Sequence, residues 1–227
     1  MFYILTPMKN RRYNQFCALA CALDVVGERW TLLIIRELLA GPRRFTDLVA
    51  GLPGISTNLL SDRLKGLEQQ GIVGRRVLPP PAGSTVYELT PLGQSLQTAM
   101  IELGKWGSQF LPDSLEGVAL PSMGATTLAI QAFFHPEQAT ALNETYELHI
   151  DDEVLQVQVA DGALQMCQGH TQHADVIFHT TMPVFMGLFA GQLQPDAAVA
   201  DGLVQIEGDV EALYRFLSLA SVTAASG

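Results

Sequence analysis

ISTNLLSDRLKGLEQQG, residues 55 to 71, carries a start signal, an apolar stripe and a polar face within seventeen positions. Ser56 can cap a helix with its hydroxyl, and Ile55 and Leu60 sit where a hydrophobic staple would set the chain's approach angle. Leu60, Leu64 and Leu67 recur at helical spacing as one buried stripe. Opposite lie Thr57, Asn58, Ser61, Asp62 and Lys65, with Arg63 near the edge. The helix dipole at the N-terminal end of this short-chained polar face favours an anion, so the face suits a DNA groove. Alone, the segment reads more readily as an ordinary amphipathic surface helix; its flanks change that reading.

Upstream, Cys17 to Val26 is apolar enough to be a largely buried helix ending at Gly27, and Glu28 to Leu39 reads as a second helix stopped by Gly41-Pro42. Arg43-Arg44-Phe45-Thr46-Asp47-Leu48 is expected as a short third helix opened by two cations. The turn Leu52-Pro53-Gly54 then leads into the Ser56 helix, a helix, turn, helix order. Downstream the period changes. Ile72 to Val77 and Thr85 to Leu89 read as paired strands around a rigid turn from Pro79 to Ser84, a basic hairpin suited to lying along a phosphate backbone. Thr90-Pro91 supplies a cap and a favoured first helical residue, and Leu92, Leu96, Ala99, Met100, Leu103 and Trp106 continue an apolar stripe to Phe110.

Charge divides the chain. The formal net charge of -10 argues against nucleic acid if taken whole, yet residues 1–111 hold 12 Lys and Arg against 8 Asp and Glu. From Pro112 onward Arg215 is the one basic residue among 15 acids, so the first half can approach a polyanion that the second repels. The 227 residues, 48% of them hydrophobic, suffice for two modest domains. No run of 18 apolar residues spans a membrane, and the opening MFYILTPMKNRR has the reverse order of a secretory signal. Three cysteines cannot all pair within one chain, which points to a reducing cytoplasm.

Three helices, a polar-faced helix in the turn unit and a two-stranded wing make a winged helix-turn-helix. Here the chain resembles the HxlR-type bacterial transcriptional regulators. The matching residues are Cys17 with Gly27, Arg29 to Ile34, Arg44 to Leu48, Leu52 to Ser56, Leu60 to Leu64, Leu67, Gly71 and Tyr87 to Gly93. Two departures are Ala18 after Cys17, where the family has proline, and Glu28-Arg29-Trp30 for its glycine-lysine-tryptophan. The resemblance implies a homodimer whose first and last helices pack together and whose recognition helices enter the major groove of double-stranded DNA about one helical turn apart. Independently, the Leu92 to Phe110 stripe is wider than one small domain should leave exposed. Ser56, Thr57, Asn58, Ser61 and Lys65 are candidates for base edges or phosphates, and Arg43, Arg44, Arg75 and Arg76 for phosphate clamps. Arg63 reads either as a DNA contact or as an ion-pair partner within the domain. Because some relatives of the HxlR type sense electrophiles or oxidants near this position, Cys17, one turn from Cys21, is a candidate redox residue. The competing reading is a thiol blunted by apolar surroundings.

Pro112 to Gly124 reads as a linker. Beyond it, residues 125–227 alternate as a helix from Thr126 to Phe134, strands Thr145 to Ile150, Val154 to Val159, Ala163 to Cys167 and Ala174 to Thr180, and a greasy helix from Met182. A short helix at Pro195, a strand to Glu207 and a closing helix capped by Gly208-Asp209 follow. This predicts an α+β fold, an antiparallel sheet with helices on one side. The turn-linked strands, Asp175, Thr180, Phe185 to Gly191, Pro195, Ala198, Gly202 and Ile206-Glu207-Gly208-Asp209 resemble the sterol carrier protein-like lipid-binding fold. That resemblance implies an apolar ligand tunnel, with Phe178, Met182, Phe185, Met186, Phe189 and Phe216 as candidate ligand-binding residues; the alternative is that they fill a core. With Arg215 the one cation, a neutral lipid, sterol-like or aromatic effector fits better than an anion.

Cys167, His170 and His173 have metal-like spacing but no clear fourth ligand, so a solvated loop and no metal are expected. No phosphate loop, nucleophile elbow or catalytic dyad is recognisable; no cofactor and no enzyme are expected. The reading is a cytoplasmic dimeric repressor, with residues 1–111 for DNA binding and dimerisation, 112–124 as linker and 125–227 sensing an apolar ligand. One rival is a lipid carrier whose winged helix serves dimerisation only; another gives the second domain a purely structural role.

Overall fold

The computed structural model describes residues 12–79, 83–112 and 117–220. The opening segment through Arg11, Pro80 to Ala82 of the expected wing turn, residues 113–116 of the expected linker and the last seven residues lie outside it. The chain forms two compact units, Met1–Met100 and Ile101–Gly227.

The first unit runs α1 (Ala18–Val26), α2 (Thr31–Leu39), β1 (Arg43–Arg44), α3 (Phe45–Gly51), α4 (Thr57–Gln69), β2 (Val73–Val77), β3 (Thr85–Leu89) and α5 (Pro91–Gln94), and α6 (Gln97–Gly107) begins within it. Ile34, Ile35, Leu48, Leu52, Leu60 and Leu64 form its fully buried centre. The Ile55 and Leu60 pair before and inside α4 is buried as a staple requires. Ser56 Oγ accepts the Leu59 N–H at 3.3 Å. Two expectations need correction. Arg43-Arg44 is not the first turn of α3 but a strand ending at its N-cap, Arg44; it pairs with Tyr87 and Val86, making the wing a three-stranded sheet in the order β1-β3-β2. Nor is α1 largely buried: only Ala20 and Val26 are, while Leu19 and Leu23 are exposed. A nine-residue helix that is apolar on nearly every side, Asp24 excepted, cannot bury every face against one small unit.

At the base of the wing, the Thr90 N–H donates to the Ile72 carbonyl at 3.0 Å and Thr90 Oγ1 accepts the Gly93 N–H at 3.2 Å. A Cβ on Gly93 would stand 2.3 Å from the Ile72 oxygen, so only glycine lets α5 close on β2. Beyond, Leu92, Leu103, Trp106 and Phe110 are exposed.

The second unit contains α7 (Met123–Ala132), β4 (Asn143–Ile150), β5 (Glu153–Ala160), β6 (Ala163–Gln168), β7 (Val176–Thr180), α8 (Met182–Phe189), α9 (Pro195–Ala200), β8 (Gln205–Glu207) and α10 (Glu211–Leu219). The fold is α+β, with a five-stranded sheet in the order β6-β5-β4-β7-β8. One pairing differs from the expected antiparallel set: β4 and β7 run parallel, with Leu148 opposite Phe178 and His149 opposite His179. The segment after β6 crosses back over β5 and β4 rather than turning into a hairpin, and a crossing segment sets its strand parallel. Tyr146, Leu148, Ile150, Leu155, Val157, Phe178, Phe185 and Phe216 build the core. Before α10, Gly208 has φ 114° and its missing Cβ would meet the Asp175 oxygen at 2.8 Å. Asp209 Oδ1 accepts the Glu211 N–H at 3.0 Å, while the N-cap of α10 is Val210, one residue after the expected Gly208-Asp209, and its side chain makes no cap.

Candidate nucleic-acid interface

A cap, a staple and three leucines fix the orientation of α4 in its unit, and what remains outward follows from the 3.6-residue period. Ser56, Thr57, Asn58, Ser61 and Lys65 are all exposed on the face opposite the Leu60, Leu64 and Leu67 stripe. The first-turn N–H groups and the positive end of the dipole lie on that side, beside hydroxyl and amide groups that both donate and accept.

The cations around this face divide by environment. Arg44 is exposed, and its backbone N–H donates to Asp47 Oδ2 at 3.0 Å, which caps α3. Arg43 does not fit the clamp role expected of it: it lies on the inner side of β1 at 6% exposure, where a phosphate does not reach. Arg63 takes its intramolecular reading, with Nη2 3.0 Å from Glu28 Oε2 and Nε donating to the Arg29 carbonyl at 3.2 Å. On the wing, Arg75 forks onto Glu68 of α4 and stacks 5.2 Å above the Tyr87 ring. Arg76 pairs with Glu88 at 2.9 Å. The wing arginine side chains are about half exposed, and surface pairs of this kind contribute only about 0.2–1 kcal/mol, so a phosphate can replace the carboxylate. The sequence reading missed these acids. Glu88 was findable, because it lies diagonal to Arg76 across the β2–β3 register.

Cys17 is the exposed N-cap residue of α1 and Cys21 is exposed one turn on, so the apolar surroundings considered for them are absent.

In the second unit, Phe178, Met182, Phe185, Phe189 and Phe216 are 2–6% exposed and Met186 is half-buried. Phe216 stands 5.2 Å from Tyr146 and 6.4 Å from Phe185 between ring centroids. These side chains nearly close on themselves. The void between Leu148, Phe178, Phe185, Leu213 and Phe216 is about 10 Å³, the space of a single water.

Cys167, His170 and His173 do not converge. Cys167 Sγ faces Gln156 at 3.3 Å, and the His173 N–H donates to Thr171 Oγ1 at 3.3 Å. His170 instead meets Glu147 and His149 from β4. Glu147 and His149 are two apart on one strand and therefore share a face, a signal that was present in the sequence. The crossing segment that delivers His170 was not legible there.

Residues 25–115 match the family model described as HxlR-like helix-turn-helix, and residues 130–221 that of the SCP-2 sterol transfer family. The HTH-type transcriptional regulator YodB of Bacillus subtilis is 41% identical over 98 residues, 43% of this chain and 88% of that protein. The uncharacterised HTH-type regulator YvaP of the same organism is 39% identical over 41% of this chain and 86% of its own length. Among solved structures, the reduced form of YodB from B. subtilis aligns at 39% identity and a TM-score of 0.38, covering 44% of this chain and 99% of that one.

Proposed function

Since the chain belongs to the HxlR-like helix-turn-helix family, as a DNA-binding transcriptional regulator, we propose that it works as a cytoplasmic homodimeric repressor, with an apolar-ligand sensor as its second domain. The observation that carries the DNA reading is the exposed Ser56, Thr57, Asn58, Ser61 and Lys65 face at the start of α4, flanked by Arg44, Arg75 and Arg76. The first five residues reach base edges or phosphates, and the arginines set register on the backbone. Arg63 holds the helix in place instead.

Dimerisation is supported by the exposed apolar residues of two helices, Leu19 and Leu23 on α1 and Leu103 and Trp106 on α6. No described helix is long and apolar enough to cross a membrane. Curated relatives of the first unit include HTH-type transcriptional regulators. Sensing is supported by the SCP-2 match and by the aromatic wall around the small void, lined by Phe178, Phe185 and Phe216. An apolar ligand enters there only by displacing side chains, and it changes operator affinity only if it binds the two states of the dimer unequally. Cys17 at the exposed start of α1 is the candidate redox residue.

The test is selection of bound fragments from genomic DNA, followed by titration on the selected site. We expect an inverted repeat with half-sites about 10 base pairs apart, and at least tenfold weaker binding for Asn58→Ala. Native mass spectrometry of the chain as purified reads any bound lipid. Ligand transfer between vesicles with no DNA affinity at low salt would instead establish the carrier reading.

A further inference from the structure

We propose that the helix-free face of the second-unit sheet binds a divalent transition-metal ion of the zinc type through Glu147 Oε1, His149 Nε2 and His170 Nδ1. Tyr146, Leu148 and Ile150 of β4 point into the core, so the alternating Glu147 and His149 point to the other side. The segment after β6 leaves Gly169 at φ 111° and lays His170 and Thr171 over them. One carboxylate oxygen and two imidazole nitrogens then converge. His149 Nε2 lies 2.7 Å and His170 Nδ1 3.0 Å from Glu147 Oε1, and the three donor atoms all lie within 4.8 Å of one another. Tetrahedral zinc ligands stand roughly 3.3 Å apart, so side-chain rotation alone brings these atoms to an ion.

The surroundings match as well. The Thr171 N–H donates to Glu147 Oε2 at 2.7 Å, which fixes the carboxylate and turns Oε1 toward the imidazoles, as groups behind metal ligands commonly do. Two imidazoles and one carboxylate suit Zn²⁺ or its first-row neighbours; Ca²⁺ and Mg²⁺ require more oxygens. His179, whose ring lies 4.3 Å from that of His149, keeps its Nε2 3.0 Å from Glu207 Oε1 and is not one of the three converging groups, so water is left for the fourth coordination place. Binding needs His149 Nε2 and His170 Nδ1 unprotonated, so any proton on either moves to the other nitrogen of that ring or to solvent, and their contacts with Glu147 Oε1 give way to bonds to the ion. The ion would tie the crossing segment to β4.

The test uses the full, untagged chain, stripped with chelator and titrated with Zn²⁺ by calorimetry and thermal melting, and with Co²⁺ by absorption. One equivalent per chain, a raised Tm and a Co²⁺ spectrum without a sulfur charge-transfer band are expected. His170→Ala, at a side chain 71% exposed, should leave the fold intact by circular dichroism and weaken binding at least about tenfold. A chain with Cys17, Cys21 and Cys167 all changed to Ser should bind as before. Absence of stoichiometric uptake, undiminished binding by His170→Ala, or loss of binding in the cysteine-free chain overturns the assignment.

Discussion

Arg63 Nη2 lies 3.0 Å from Glu28 Oε2, which ties α4 to the turn ahead of α2. Arg63 is the one arginine in α4, so Lys65 is left as the outward cation of that helix.

Arg63→Ala should lower stability by about 1 kcal/mol while leaving the salt dependence of operator binding unchanged, if its guanidinium stays on Glu28 and the Arg29 carbonyl when DNA is bound. Lys65→Ala should do the reverse, leaving Tm in place and reducing the salt slope by about 0.9. Melting curves and titrations at several salt concentrations separate the two.

Replacing Arg75 and Arg76 together with Gln should weaken binding to all DNA sequences alike and flatten the salt slope by about 2. The native ion pairs with Glu68 and Glu88 are surface pairs, so the melting temperature should move little. An unchanged slope in a fluorescence titration would remove the wing from the interface.

Gly93→Ala places a methyl group 2.3 Å from the Ile72 carbonyl and against Leu89. The helix must back away from the wing, at a cost of about 1–3 kcal/mol in urea denaturation.

Mild oxidation should reduce operator affinity several-fold in the native chain and not in Cys17→Ser, because the Cys17 thiol is exposed at the start of α1. Equal loss in both proteins would assign the effect elsewhere.

Burial first, and then the hydrogen bond to Glu144, raise the Tyr146 phenol well above its ordinary value. The unfolded chain ionises this group near pH 10 and the folded one later. Its stabilising contribution is therefore complete below about pH 10 and is lost as pH rises beyond that. Thermal melts from pH 8 to 11 should fall more steeply for the native chain than for Tyr146→Phe.

Local signals made α4 readable. Ser56, Ile55 and Leu60 act within one turn of each other, and the structure places them where capping and stapling require. The hairpins β4–β5 and β5–β6 were equally local, with Asp151 and Asp161 taking positive φ in their turns. Pairing between distant strands was not legible: nothing near Val176 states that it will lie parallel to Tyr146. Periodicity likewise could not say whether the apolar residues of α1 face a core or remain outside. It placed Arg43 beside Arg44 as a second clamp, whereas strand alternation turns the first inward and the second outward.

The void of about 10 Å³ beside Phe216 also has a kinetic corollary. A guest larger than water would enter or leave only as that wall opens, so its uptake rate would level off at the opening rate however much of it is supplied.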